Sequence, residues 1–86
     1  MFVAPPLVIT GAAGGLGRAF AVEAARRGWN LLLTDVAPLD GLASYVAHTY
    51  AVEVSTVHAD LATAAGRDAL FAALPRRTAR LSLIHI

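Results

Sequence analysis

Leu7-Val8-Ile9-Thr10-Gly11-Ala12-Ala13-Gly14-Gly15-Leu16-Gly17-Arg18 is the stretch that decides the fold. Its first four residues are an apolar run of β-formers stopped by a glycine, as a buried strand should be. Four glycines then fall within Gly11 to Gly17, a density that suits a tight turn. From Leu16 to Arg27 the residues are Ala-rich helix formers, with Phe20 and Ala24 expected on one face. Arg26 and Arg27 complement the dipole in the last turn, and Gly28 suits the left-handed position that follows. Strand, glycine turn and helix therefore come in one unbroken run.

The rest of the chain repeats that alternation. Leu31-Leu32-Leu33-Thr34 forms a second apolar strand ending at Asp35. Asp40 is placed to cap a second helix from about Gly41 to Tyr50. Val52 to His58 alternates apolar and small polar residues, which predicts a third strand. Thr63 to Leu74, with Leu70, Phe71 and Leu74 at helical spacing, predicts a third helix that Pro75 ends. Leu81 to Ile86 fits a fourth strand. The order β-α-β-α-β-α-β predicts an α/β fold: a doubly wound parallel sheet with right-handed crossovers and helices on both faces.

A strand that turns sharply into a helix presents unpaired backbone N–H groups and the positive end of the helix dipole. Such a turn holds a pyrophosphate when no side chain blocks the approach, and repeated glycine removes the block. Asp35 lies 18 residues beyond Gly17, close to the ~20 expected of an acid that binds ribose hydroxyls. A carboxylate there accepts hydrogen bonds from the 2′- and 3′-OH of adenosine and repels a 2′-phosphate. The expected cofactor is NAD, with NADP the less favoured alternative. The plain alternative is a glycine-rich turn beside an acidic surface residue; strand, turn, helix and acid in that order weigh against it.

These residues carry a family resemblance. Thr10, Gly11, Gly15 and Gly17 form Thr-Gly-x-x-x-Gly-x-Gly, which resembles the cofactor signature of classical short-chain dehydrogenases/reductases. Arg18-Ala19-Phe20-Ala21, the Arg27-Gly28-Trp29 turn and Asp60-Leu61 after the third strand are similar to that family too. The resemblance implies the N-terminal part of a Rossmann-type sheet, incomplete. It implies that Gly11, Gly15 and Gly17, with the Leu16 amide, cradle pyrophosphate, and that Asp60 and Leu61 hold the adenine. NADP-preferring members carry a basic residue just before the middle glycine or just after the second strand's acid. Gly14 and Val36 stand there, so both positions favour NAD. The same stretch also fits Thr-Gly-x-x-Gly-x-x-Gly through Gly11, Gly14 and Gly17, the pattern of extended, epimerase-type members. Gly15 stands where those usually carry a bulky apolar residue.

Composition narrows the remaining choices. The 86 residues are 57% hydrophobic and 15% charged, with net charge +1 and no cysteine. One small domain fits that length, and the charged fraction lies below the roughly 25% of an ordinary soluble domain. It reads as the buried part of something larger. Seven arginines against six acids leave no basic stripe, so no nucleic-acid partner is expected. Met1 to Gly17 is uncharged, but it lacks a basic n-region and Pro5-Pro6 and glycines interrupt it. Neither a signal peptide nor a membrane span is expected, and the cytoplasm is the default location. His48, His58 and His85 share no metal-ligand spacing, so no metal site is expected and each reads as structural or solvated. Arg76, Arg77 and Arg80 read as a solvated loop, and Trp29 as packing at the helix-to-strand turn. A P-loop needs Gly-Lys-Ser/Thr where this chain has Gly17-Arg18-Ala19. A methyltransferase would more often carry an acid where Thr10 stands, and remains the more distant nucleotide-binding reading.

In the family, a serine and a Tyr-x-x-x-Lys pair perform the acid–base chemistry downstream of the fourth strand. All seven basic residues here are arginine, so no lysine is present, and Tyr45 and Tyr50 lie on the predicted second helix. No catalytic residue is assigned, and the fragment itself is not expected to be active. The expected organisation is a nucleotide-binding half-domain over 1–80, then 81–86. A small-molecule substrate and a homo-oligomer are expected of the full-length enzyme. A non-catalytic nucleotide sensor on the same fold is the alternative from another class. Leu81-Ser82-Leu83-Ile84-His85-Ile86 back-translates to CTG-TCT-CTT-ATA-CAC-ATC, the transposase mosaic end that borders tagmentation library inserts. A chance match of all six has odds under roughly one in a million at average residue usage. Translated adapter is therefore the favoured expectation for 81–86. A family fourth strand, which fits the same register, competes with it. Different codons at the genomic locus, followed by an Asn/Ala-Gly segment, would remove the adapter reading.

Overall fold

A computed structural model describes residues 6–74 and the backbone of 82–85. Among these residues the order is β1 (Leu7–Thr10), α1 (Gly15–Arg26), β2 (Leu31–Asp35), α2 (Asp40–Tyr50), β3 (Val54–His58), α3 (Ala64–Ala73) and β4 (Ser82–His85). The strands form one parallel sheet in the order β3-β2-β1-β4. That is the N-terminal part of the doubly wound order 3-2-1-4-5-6. The chain switches direction between β1 and β4, and ligands of such sheets sit outside the carboxyl ends of the strands at that point.

Both faces of the central strands are covered, which is why their sequence is a continuous apolar run without alternation. Leu7, Ile9, Leu31 and Leu33 pack against Ala21 and Ala25 of α1 and Leu42 and Val46 of α2. Val8 and Leu32 face the other way, against Leu70 of α3. Each large side chain fully buried here contributes roughly 2 kcal/mol. Small alanines on α1 let that helix lie close over β1 and β2. Strand β3 lies beside β2 alone and is only partly buried.

Several sequence expectations need correction. The core face of α1 is Gly17, Ala21, Ala24 and Ala25; Phe20 is exposed instead. Trp29 donates its backbone N–H to Ala24 at 3.1 Å, but its ring is also exposed. Phe71 points outward while Leu70 is buried. Leu39, not Asp40, is the cap residue of α2; Asp40 lies in its first turn, where a negative charge complements the dipole. Strand β3 starts two residues later than predicted because Ala51 turns into the left-handed region at φ 53°. Glu53 then donates its N–H to the Asn30 side chain at 3.0 Å. Pro75, Arg76, Arg77 and Arg80 lie outside the described residues.

Candidate functional site

The β1–α1 turn is built by two glycines and left open by two others. Gly11 has φ +66°, a conformation that L side chains resist. The Ala12 N–H donates to the Thr34 carbonyl at 3.2 Å, and the Gly14 N–H to the Gly11 carbonyl at 3.2 Å. Gly17 is buried, and a Cβ there would lie 2.2 Å from the Gly11 oxygen and 2.8 Å from the Ala12 Cα. A Cβ on Gly14 would come no nearer than 3.6 Å to the Gly11 oxygen, and one on Gly15 would meet nothing within 4 Å. The fold requires Gly11 and Gly17. It does not require Gly14 or Gly15.

Helix α1 also starts without compensation at its positive end. Gly14 has no side chain to cap it, the first turn holds no acid, and Arg18 adds a cation beside it. Helix α3 begins differently: the Thr63 hydroxyl accepts the Gly66 N–H at 3.0 Å. First-turn amides need a partner, and on α1 an anion fits that need.

Asp35 ties this turn to the next. Its Oδ2 accepts the Ala13 N–H at 2.9 Å and its Oδ1 accepts the Ala37 N–H at 3.0 Å. The Ala37 amide above all, then the Ala13 and Val36 amides, hold the carboxyl below its ordinary value of 3.8; partial burial opposes them, and nearby His58 lowers it slightly further. A carboxylate offers about four acceptor positions, so about two remain for a ligand. Because the folded pKa is depressed, the stability Asp35 contributes is complete above its unfolded pKa and is lost as pH falls through the folded one. The unfolding midpoint of the wild type should therefore fall further between about pH 5 and about pH 3 than that of Asp35→Ala. Parallel acid limbs in denaturant titrations of the two proteins would contradict this.

The β3–α3 turn brings the second acid. The Ala59 N–H donates to the Asp35 carbonyl at 3.1 Å, extending the ladder past β3. Asp60 Oδ1 accepts the Ala62 N–H at 2.9 Å, and its carbonyl accepts the Thr63 hydroxyl at 2.8 Å. Arg67 donates to the Leu61 carbonyl at 3.1 Å. A cavity of about 200 Å³ opens at the carboxyl ends of the strands, lined by Gly11, Asp35, Asp60 and Leu61 among others. The fold thus gathers four of the eight expected site residues around one cavity. Gly14, Gly15, Leu16 and Gly17 form the adjoining start of α1, outside its lining.

Two residues that shape this site were not among those expected. Gly66 is buried where α3 lies on Asp60, and its signal was a lone glycine in an Ala-rich helix, which often marks close backbone approach. His58 is the register partner of Asp35; counting back from Asp60 to the end of β3 would have placed it there. Among the described residues no cluster of three metal-ligating side chains occurs, and no helix is long and apolar enough to cross a membrane.

A parallel sheet of this order, with a glycine-rich first turn, an acid ending β2 and a cavity at the carboxyl ends of β1, β2 and β3, defines a nucleotide-binding domain of Rossmann type. Residues 6–85 match the short chain dehydrogenase family, and the chain belongs to it. It is 38% identical to a short-chain dehydrogenase from Sphingobium yanoikuyae in complex with NADPH, with a TM-score of 0.77 over 91% of this chain and 31% of that one. A 7β-hydroxysteroid dehydrogenase structure is 32% identical, with a TM-score of 0.77 over 81% of this chain and 28% of that one. The very-long-chain 3-oxoacyl-CoA reductase-A of Danio rerio is 40% identical over 55 residues, which are 62% of this chain and 17% of the reductase. The chain thus spans less than a third of the length of each. The fold implies a nicotinamide cofactor, and the Sphingobium protein holds the 2′-phosphorylated form.

Proposed function

We propose that this chain is the cofactor-binding part of an NAD-dependent oxidoreductase. Such an enzyme moves hydride between the nicotinamide and a hydroxyl or carbonyl group of a small substrate. The observation that carries this reading is Asp35, anchored by two backbone amides at the rim of the cavity, with acceptor positions left for two ribose hydroxyls. The cradle fits the cofactor. Open space at Gly15 and the uncapped start of α1 suit a pyrophosphate held by the Gly15, Leu16 and Gly17 amides, with Gly14 leaving the approach clear. Gly11 shapes the turn, and Asp60 and Leu61 flank the adenine. The bound cofactor supplies the hydride acceptor; this chain's residues bind and orient it. The acid–base residues would be contributed by further sequence, in a cytoplasmic enzyme acting as a homo-oligomer.

NAD is favoured over NADP because Asp35 faces the ribose with its full negative charge, and neither Gly14 nor Val36 supplies a counter-charge. Titration of both cofactors into wild type and Asp35→Ala tests this. The variant should bind NAD on the order of tenfold more weakly, the value of one charge-assisted hydrogen bond, and should lose its discrimination against NADP. Equal NAD affinity in both proteins would overturn the ribose assignment. Asp35→Asn keeps an acceptor for one backbone amide, so it separates loss of the ligand contact from loosening of the turn.

A further inference from the structure

β3 ends on His58, whose Cα pairs with that of Asp35 across the parallel β2–β3 ladder. Paired residues on neighbouring strands put their side chains on one face about 5 Å apart. The His58 ring reaches past its own strand, where Nε2 bonds the carbonyl oxygen of Val36, the residue after Asp35. A carbonyl only accepts, so Nε2 carries the hydrogen and Nδ1 is the nitrogen that takes up a proton. His58 is exposed and borders a second cleft of about 290 Å³ with Thr56 and Asp40. The acids nearest it are Asp35, its partner on β2, Asp40 at the start of α2, which lines the same cleft, and Asp60, two residues on, which lines the cavity with Asp35; Glu53 lies at the far end of β3. Among the described residues that line this cleft and the cavity, His58 is the one able to carry positive charge.

We infer that His58 is a specificity-determining residue: its protonation makes the ribose end of the site tolerate a 2′-phosphate, so that cofactor preference shifts with pH. The inference rests on Asp35 being the ribose-binding acid. With neutral His58, the Asp35–His58 pair presents one negative charge to the 2′ position. With the imidazolium formed, the pair is neutral and offers a charge-assisted donor. Histidine is the side chain whose ordinary titration spans about pH 5 to 8. Basic residues at position 14 or 36 would do the same work at every pH. Here one imidazole, held to the backbone of position 36, does it conditionally.

The test is the ratio of NADP to NAD dissociation constants at about pH 8 and about pH 5.5. The 2′-phosphate takes up its own second proton in this range, so His58→Gln, which donates without charging, supplies the baseline. Wild type should lose on the order of fivefold more NAD preference on acidification than His58→Gln, the worth of one exposed charge contact. His58→Arg, charged throughout, should follow the His58→Gln slope, displaced toward NADP at both pH values. The same pH slope in wild type and His58→Gln, or a wild-type slope in His58→Arg, would overturn the inference. Unchanged NAD affinity in Asp35→Ala at about pH 8 would instead overturn the ribose reading beneath it, so the two failures are told apart.

Discussion

Gly66→Ala should destabilise the protein by about 2 kcal/mol and loosen Asp60 with it. An alanine Cβ at that position would lie 1.8 Å from the Asp60 carbonyl oxygen and 2.5 Å from its carbonyl carbon. Both are backbone atoms, so neither can swing aside as a flexible side chain could. That same oxygen already accepts the Thr63 N–H at 3.1 Å and the Thr63 hydroxyl at 2.8 Å. Thr63 in turn accepts the Gly66 N–H at 3.0 Å. The variant must lift the first turn of α3 off Asp60 and break this relay. Overpacking of this kind costs about 3 kcal/mol, and the better helix propensity of alanine returns about 1. Gly41→Ala is the matched control: Gly41 also lies in the first turn of a helix, and its Cβ would meet nothing within 4 Å. It should stabilise by about 0.5–1 kcal/mol. Denaturant unfolding of both variants checks the pair, and equal midpoints would show that α3 seats loosely. NAD affinity in Gly66→Ala should fall as well, since displacing the turn moves the Asp60 carboxylate.

These two glycines show what a sequence reading reaches and what it does not. β1 and β2 were legible because strands buried on both faces must be apolar throughout, and Leu7–Thr10 and Leu31–Leu33 satisfy that with nothing competing. The place of Asp35 at the end of β2 was legible through its spacing from Gly17, which the geometry of one strand-turn-helix-strand unit fixes. Its double role as anchor of two backbone amides was not, because spacing does not say which N–H groups converge on a carboxylate. Phe20 was expected on one face of α1 with Ala24, but close packing of α1 over the sheet selects small residues for its buried face, and Phe20 is exposed. Alanines 21, 24 and 25 fill that face instead. Gly66 and His58 depend on which backbone lies against which, and that follows only from register. Residues 82–85 illustrate the converse. A short run with Leu83-Ile84 at its centre pairs beside β1 whatever its origin, so strand formation carries no record of provenance, and the coding DNA remains the test of the adapter reading.

Gly17→Ala and Gly15→Ala should part company in a way that separates folding from binding. At position 17 the added carbon would meet the Gly11 oxygen at 2.2 Å, the Ala12 Cα at 2.8 Å and the Gly11 carbonyl carbon at 2.9 Å. All three belong to the turn that fixes the start of α1, and Gly11 itself is held at φ +66°. Relief requires the helix to move away from β1, uncovering Ala21 and Ala25, which are fully buried. Gly17→Ala should therefore lose about 2–3 kcal/mol of stability and, with it, NAD binding. At position 15 the same carbon meets nothing, so removing a helical glycine there should leave stability unchanged or raise it by up to about 1 kcal/mol. Any loss of NAD affinity in Gly15→Ala then reports the ligand's approach alone, and a fall of on the order of tenfold is expected if the pyrophosphate lies against it. Gly14 supplies the comparison. Its backbone, at φ −74° and ψ 166°, is open to any residue, and its Cβ would make only ordinary contact. If Gly14→Ala binds NAD as wild type does while Gly15→Ala does not, the signature in use is Thr-Gly-x-x-x-Gly-x-Gly. The opposite result assigns the cradle to Gly14 and the extended pattern. Affinity measured beside unfolding in the three variants decides which glycines serve the fold and which serve the cofactor.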